Sequence, residues 1–322
     1  MFADNKNAYM NIYAILITSH PEQDHAMLTD LELKLKSIEY RETIIRIIKE
    51  ARAGHTGGDL SSIDILNVLY NNVMHVSPHL IDSPNRDRYV QSKGHCVEAL
   101  YTVLADKGFF PPEELHTLGR YQTRLIGHPT RSVPGIEQNT GALGHGLAVA
   151  VGMALAAKLD RRSYRVFTLL GDGELDEGSN WEASLAASHF LLDNLTVIVD
   201  RNGLQITGST EMVNPLEPLA DKFRAFGYAV REVDGNDTQA LTEVFSKLPF
   251  EAGKPNLVLA QTVKGSGVSF MENAVKWHHR VPTDAEFETA NRELSAARAD
   301  LRRQPSEAAM VQHQILVPVG AR

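Results

Sequence analysis

The chain contains a single cysteine, Cys96, so no intrachain disulfide can form, and a reducing, cytoplasmic setting is expected. Zinc patterns are lacking as well. Cys96 has no second thiol, and the histidines at 55, 95, 128 and 278 show no His-x-x-x-His spacing. No Gly-x-Gly-x-x-Gly opens a helix, which disfavours a dinucleotide-binding protein. Positive charge is not in excess: 32 Lys and Arg against 40 Asp and Glu leave a net charge of −8, the opposite of a nucleic-acid footprint. Long apolar runs are missing too. The longest, Gly146 to Ala157, is too short to cross a bilayer, and the stretch from Ile12 to Ile17 has no Ala-x-Ala site. Neither nucleic acid, nor membrane, nor a signal peptide is expected.

What is present fits an ordinary globular protein, with 43% hydrophobic and 22% charged residues in 322. Residues 1–33 show no steady period and are expected to be an irregular extension. Ile44, Ile47, Ile48 and Ala51 then follow the helical i, i+3, i+4, i+7 template, ending at the flexible corner Gly54-His-Thr-Gly-Gly. Ser61-Ser62-Ile63-Asp64 reads as a capping box opening the next helix. Further on, strands and helices alternate. Arg165–Leu170, Leu195–Val199, Tyr228–Val233 and Asn256–Thr262 read as strands. Glu177–Leu192, with Trp181, Leu185 and Leu192 on one face, and Thr238–Leu248 read as helices. This order predicts an α/β fold with a doubly wound parallel sheet and ligands at the carboxyl ends of its strands. One domain over 34–298 is expected, followed by an appendage over 299–322.

Gly171-Asp172-Gly173 ends one strand and Asn202 follows the next, 30 residues on, about one βαβ unit. Adjacent parallel strands would bring Asp172 and Asn202 to one sheet edge. A divalent metal carrying a diphosphate takes oxygen ligands of this kind. Glycines let the backbone approach the diphosphate, and the helix near Glu177 can direct N–H groups toward it. Gly-Asp-Gly and Asn-Gly are also common turn sequences, and only the combination of strand, helix and spacing favours a site.

The run from Gly171-Asp-Gly-Glu-Leu-Asp-Glu-Gly to Asp200-Arg-Asn-Gly-Leu-Gln resembles the thiamine-diphosphate motif of transketolases, in particular the separate amino-terminal subunit of split transketolases. Ser92-Lys-Gly-His, Ile126-Gly-His-Pro, Asn139-Thr-Gly-Ala-Leu-Gly and Thr262-Val-Lys-Gly-Ser-Gly extend the resemblance, which runs from about Leu35 to Leu294. It implies the diphosphate-binding half of the thiamine-diphosphate fold. By this resemblance Asp172, Asn202 and the main-chain carbonyl of Leu204 hold Mg²⁺. Gly173 and Glu174 lie at the diphosphate, and Gly141, Ala142 and Leu143 touch the cofactor's rings. His55, His95, His128 and His278 match histidines around the reacting carbon and the sugar hydroxyls, with His95 and His278 also touching the cofactor.

Imidazole suits that task, since carbon–carbon bond making beside a carbonyl moves protons near neutral pH. His75, His79, His116 and His189 carry no such expectation. The family's ylid-forming glutamate lies in a pyrimidine-binding domain, and nothing after Phe270 is long enough to form one. The resemblance therefore implies a pyrimidine-half partner chain, a two-plus-two heterotetramer and sugar phosphate substrates. Glu177 matches an acid that communicates with that glutamate, although a helix N-terminal acid is also favoured by the dipole. His145 stands where the family commonly has Gln, and His279-Arg280 where it has Gly-Lys. The alternatives are the α subunit of a 2-oxo-acid dehydrogenase and a non-catalytic binding or scaffold relative.

Overall fold

A computed structural model describes residues 27–303 of the chain. Helix α1 spans Asp30–Ala51. It starts inside the segment expected to be irregular, because Thr29 and Glu32 form a capping box: Glu32 N donates to Thr29 Oγ1 at 3.3 Å, and Thr29 N to Glu32 Oε2 at 2.7 Å. The remainder of the expected extension, and of the appendage beyond Arg303, lies outside the described residues.

Helix α2 spans Thr56–Val68, so it opens five residues before the expected capping box. Two glycines sit in its first turn for a tertiary reason. A Cβ at Gly57 would lie 2.8 Å from the Trp277 carbonyl oxygen, and one at Gly58 would lie 2.4 Å from Cys96 Sγ. Ser61 and Ser62, read as caps, are interior residues: the Ser62 hydroxyl donates back to the Gly58 carbonyl at 2.8 Å, and the Ser61 hydroxyl donates to Asp200 at 2.7 Å. Replacing Gly58 with Ala is therefore expected to destabilise the chain by about 1–3 kcal/mol through overpacking, although alanine is the better helix former. Denaturant unfolding checks this, and an unchanged midpoint would refute the close approach.

The other main elements are β1 (Arg88–Gln91), α3 (Val97–Asp106), α4 (Gly146–Leu159), β2 (Val166–Gly171), α5 (Gly178–His189) and β3 (Leu195–Arg201). A small hairpin of β4 (Leu204–Gln205) and β5 (Gly208–Ser209) leads into α6 (Thr210–Val213) and α7 (Leu219–Ala225). Then come β6 (Ala229–Asp234), α8 (Thr238–Phe245), β7 (Asn256–Gln261) and α9 (Asp284–Arg303). The sheet is wholly parallel in the order β1-β2-β3-β7-β6. The edge strand β1 has no counterpart among the expected strands. Arg-Tyr-Val-Gln is too short to show a period, and pairing with β2 makes it a strand.

Residues along each central strand alternate between two cores. Phe167, Leu169, Ile198 and Val258 face the layer of α1, α2, α3, α8 and α9. Val166, Leu170, Val197, Val199 and Leu257 face α4, α5 and α7. Burial on both faces is what makes these strands near-continuous apolar runs. On α5, Leu185 is 58% exposed and does not share a buried face with Trp181, while Leu192 is buried beyond the helix end. Trp181 instead donates its ring N–H to the Leu175 carbonyl and packs on Phe223 and Phe226.

Candidate active site

Four parallel strands end along one edge, and the segment after each contributes to a single cleft. β1 runs into Ser92-Lys93-Gly94-His95, β2 into Asp172-Gly173, β3 into Asn202, and β7 into Thr262-Val263-Lys264. The cavity there has a volume of about 270 Å³. Its walls include His55, Lys93, His95, Asp172, Asn202, Lys264 and His278, with Gly141, Leu143, Gly173, Glu174, Leu204 and Gln205.

The pairing of β2 and β3 puts Gly171 opposite Asp200, so Asp172 and Asn202 leave the sheet side by side. Three donors fix the Asp172 carboxylate: Gly173 N at 2.8 Å, Gly203 N at 2.6 Å and Arg201 Nη1 at 3.1 Å. Burial raises its pKa, and the nearby Asp200 adds to that. Arg201 is itself bound to Thr210, Glu211 and Glu217, so the Asp172 carboxylate is tied to the segment that follows the hairpin. Asn202 Nδ2 donates to Asp200 Oδ2 at 3.1 Å, and Asp200 can only accept. That fixes the amide's orientation and makes Oδ1 the acceptor, where Leu204 N donates at 3.1 Å and one lone pair is left.

Beneath these groups lies a buried ion pair of Lys93 and Asp200. Asp200 also accepts from Thr262 Oγ1 and, at 2.7 Å, from Ser61 Oγ. Burial would raise the Asp200 carboxyl, but Lys93 and the hydrogen bonds from Lys93, Thr262 and Ser61 together outweigh it and the net shift is downward. Lys264 Nζ donates to the Leu204 carbonyl at 3.0 Å, and burial, then Lys93, lowers its pKa.

Three imidazoles converge on the same cleft. The ring of His55 lies 5.0 Å from His95 and 5.8 Å from His278, and His95 stacks on His278 at 5.4 Å. Burial and the neighbouring lysines and histidines keep them neutral: His55 is lowered to about 4, His278 to about 3, and His95 well below its usual value. His279, the unexpected neighbour, sits 4.5 Å from His55.

His128 does not line this cleft. Its ring lies against Gly141, where a Cβ would come within 2.5 Å of His128 Cδ2, and it faces an adjoining cavity that shares His55. Ala142 is exposed and outside the cleft wall. Glu177 is exposed at the start of α5, makes no side-chain cap and does not line the cleft. Glu174 does line it, but its carboxylate accepts from Ser92 Oγ at 2.5 Å, Gly144 N at 3.0 Å and Gly171 N at 3.1 Å, clamping three segments together. His116 is remote, bonded to Glu50 at 2.7 Å.

Lys93, Lys264 and Gln205 are cleft residues that the sequence reading left without a role. Their signal was present, since each lies within a motif quoted above; a lysine embedded among glycines and apolar residues has few ways to stay solvated. The donor set suits a metal–diphosphate unit. Among the described residues no cluster of three His, Cys, Asp or Glu could hold a metal, but one carboxylate, one amide oxygen and one carbonyl form a hard, oxygen-only set that phosphate oxygens can complete. Gln205 Nε2 and His278 Nδ1 are buried without partners on the same wall, and the amide nitrogen is a donor open to an anion.

The chain matches the transketolase thiamine diphosphate binding domain over residues 36–315. It is 49% identical over 263 residues to an apulose-4-phosphate transketolase subunit of Phocaeicola vulgatus, covering 82% of this chain and 94% of that one. It is 42% identical over 265 residues to a 6-deoxy-6-sulfo-D-fructose transketolase subunit of a Clostridium species, covering 82% of this chain and 96% of that one. Among solved structures, a Pichia stipitis transketolase in complex with sedoheptulose 7-phosphate superposes with a TM-score of 0.76 at 25% identity, over 88% of this chain and 45% of that one. The chain thus spans a little under half of that solved transketolase.

Proposed function

Since this chain belongs to the transketolase family and carries its thiamine-diphosphate-binding domain, we propose that it is the subunit of a two-chain transketolase that holds the cofactor diphosphate through Mg²⁺. The observation carrying this reading is the convergence of Asp172, Asn202 and the Leu204 carbonyl with three neutral histidines and Lys264 on one cleft. The reaction is the transfer of a two-carbon ketol unit from a ketose, in phosphorylated form, to an aldose. The cytoplasm is its proposed setting.

The residues divide the work by chemistry. Asp172, Asn202 Oδ1 and the Leu204 carbonyl would hold the metal. Gln205 Nε2 and Lys264 would face phosphate oxygens, with the Gly173 backbone beside them, and with the anion bound the cost of burying Lys264 falls. The bound cofactor supplies the nucleophile and electron sink, so the protein's part is to bind, orient and move protons. His55, His95 and His278, neutral and clustered, can take a proton from a hydroxyl and return it; a histidine already charged could not. The names of the relatives support sugars bearing an anionic group and an enzyme of unlike subunits. A cleft rim carrying exposed Ile206, with Met212 and Val213 just beyond, suits a pyrimidine-half partner, and two copies of each chain is the natural closed assembly.

Replacing His95 or His278 with Ala in the assembled enzyme is expected to lower turnover on the order of 10²–10⁴-fold, with cofactor still bound. His116→Ala should leave turnover within about twofold, since its ring serves surface contacts with Glu50 and Arg46, remote from the cleft. Steady-state rates with a ketose phosphate donor decide, and equal losses at His116 and His278 would show that the reaction occurs elsewhere.

A further inference from the structure

The chemistry above uses neither Asp59 nor Glu98, yet both carboxyl groups lie just behind His55. Asp59 belongs to the first turn of α2 and Glu98 to the first turn of α3, and they are 0% and 2% exposed. Asp59 Oδ1 accepts from Ala99 N at 2.8 Å, closing the N-terminus of α3. Asp59 Oδ2 and Glu98 Oε2 are both buried with no hydrogen-bond partner. The bond from Ala99 sets Asp59 beside Glu98, and two buried carboxyls acting on each other, each with an oxygen that no donor reaches, are held with a proton on one of them.

This pair touches the loop that presents His55 from two sides. Gly54 has φ +151°, and a Cβ there would stand 3.0 Å from Glu98 Oε1 and 2.6 Å from Ile48 Cγ1. The His55 carbonyl accepts from Gly58 N and Asp59 N at 3.0 and 3.1 Å. Glu98 also forms part of the adjoining cavity of about 200 Å³, together with His55, His128 and His279. We propose that Asp59 and Glu98 share one proton and act as the positioning pair of the His55 loop. Loss of that proton would leave two buried like charges at the loop's base and release His55.

The charged and titratable groups around the pair set its response to pH. The cation acting on Asp59 is Lys93, whose ammonium is already bonded to Asp200 and the Gly58 carbonyl. Cys96 and Tyr101 face the pair from the same segment and helix, both with pKa values raised, first by burial and then in part by the acids. His55, His128 and His279 line the cavity wall, and Ile48 of α1 adds only apolar contact. Burial raises both carboxyls above their ordinary values, and Asp59 raises Glu98 further. The folded chain then binds more protons than the unfolded one above about pH 4, so this contribution to stability is complete in acid and is lost as pH rises.

The inference rests on His55 serving the cleft, but its test reads the full chain alone, without partner or turnover. Infrared difference spectroscopy should find a protonated carboxyl at neutral pH that Glu98→Gln removes. Glu98→Gln supplies an amide N–H to Asp59, so it should leave the His55 imidazole resonance in place and flatten the alkaline fall in stability. Glu98→Ala should displace that resonance. If this variant does not fold, the unmodified chain taken to alkaline pH gives the same reading, with the resonance moving as the band is lost. A missing carboxyl band, a Glu98→Gln variant as damaged as Glu98→Ala, or a His55 signal indifferent to loss of the proton would each overturn the proposal. Lack of transketolase activity in unmodified and variant enzymes alike would count against the proposed function and leave these spectra unaffected.

Discussion

Replacing Asp172 with Ala is expected to abolish Mg²⁺-dependent binding of thiamine diphosphate. Asp172 is the one carboxylate in the proposed metal shell, otherwise an amide oxygen and a carbonyl, so its loss would remove the formal negative charge of that shell. Losing an outer-shell partner of a metal site costs roughly 10–100-fold, and a charged direct ligand should cost more. The fold should survive. Arg201, the buried cation beside Asp172, keeps Glu211 and Glu217 at 2.8 and 2.9 Å, so the substitution strands no charge. Gly173 N and Gly203 N lose an acceptor, but both sit at a wet cleft edge, intermediate in exposure, where water can replace it. Calorimetric titration with and without Mg²⁺ measures the effect, and the thermal shift produced by cofactor offers a second reading, because a ligand of the folded state stabilises it by mass action. An Asp172→Ala chain that binds cofactor as tightly as the unmodified one would remove the metal site from this cleft.

The second large effect concerns the partner. The chain alone, given thiamine diphosphate, Mg²⁺, a ketose phosphate and an aldose phosphate, is expected to turn over negligibly, and activity should appear when the pyrimidine-half chain is added. The two carboxyl side chains on the cleft wall are already engaged: Asp172 holds its place through Gly173, Gly203 and Arg201, and Glu174 accepts from three segments. Neither is free to exchange a proton with the cofactor's pyrimidine, the task that the family resemblance assigns to a glutamate of a second domain. Slow deprotonation of the reacting carbon would then limit the lone chain even with metal and diphosphate bound. Assays of the chain, of the candidate partner and of their mixture decide. Robust turnover by the chain alone would end the two-chain reading, and an inactive mixture that still binds cofactor would redirect attention to the sugar.

Much of this site was legible in the sequence because its first part is local. Asp172 and Asn202 are one strand–helix–strand unit apart, and a parallel crossover of that length lays the two strand ends side by side almost without regard to the rest of the chain. The apolar strands and the loss of period at Gly54 were equally readable, since burial on both faces and helix termination leave marks in neighbouring residues. The histidines in glycine-rich loops could be singled out, but not sorted. His55, His95 and His278 meet within 6 Å while His128 turns to the adjoining cavity, and that division depends on how segments far apart in the chain pack.

Period, spacing and motif order, which act over a few tens of residues, were enough to specify the parallel α/β architecture, the meeting of Asp172 and Asn202 at one sheet edge, and the family. They could not place Gly57 and Gly58 inside a helix, because what excludes a side chain there is Trp277 and Cys96, which arrive through packing. Packing also brought Lys93 beneath Asp200, set Lys264 on the Leu204 carbonyl, and put Asp59 on the Ala99 amide beside Glu98. A buried charge is tolerable only when its partner arrives from elsewhere in the chain. No local pattern can announce that partner, and the packing of the helices on the sheet supplies it.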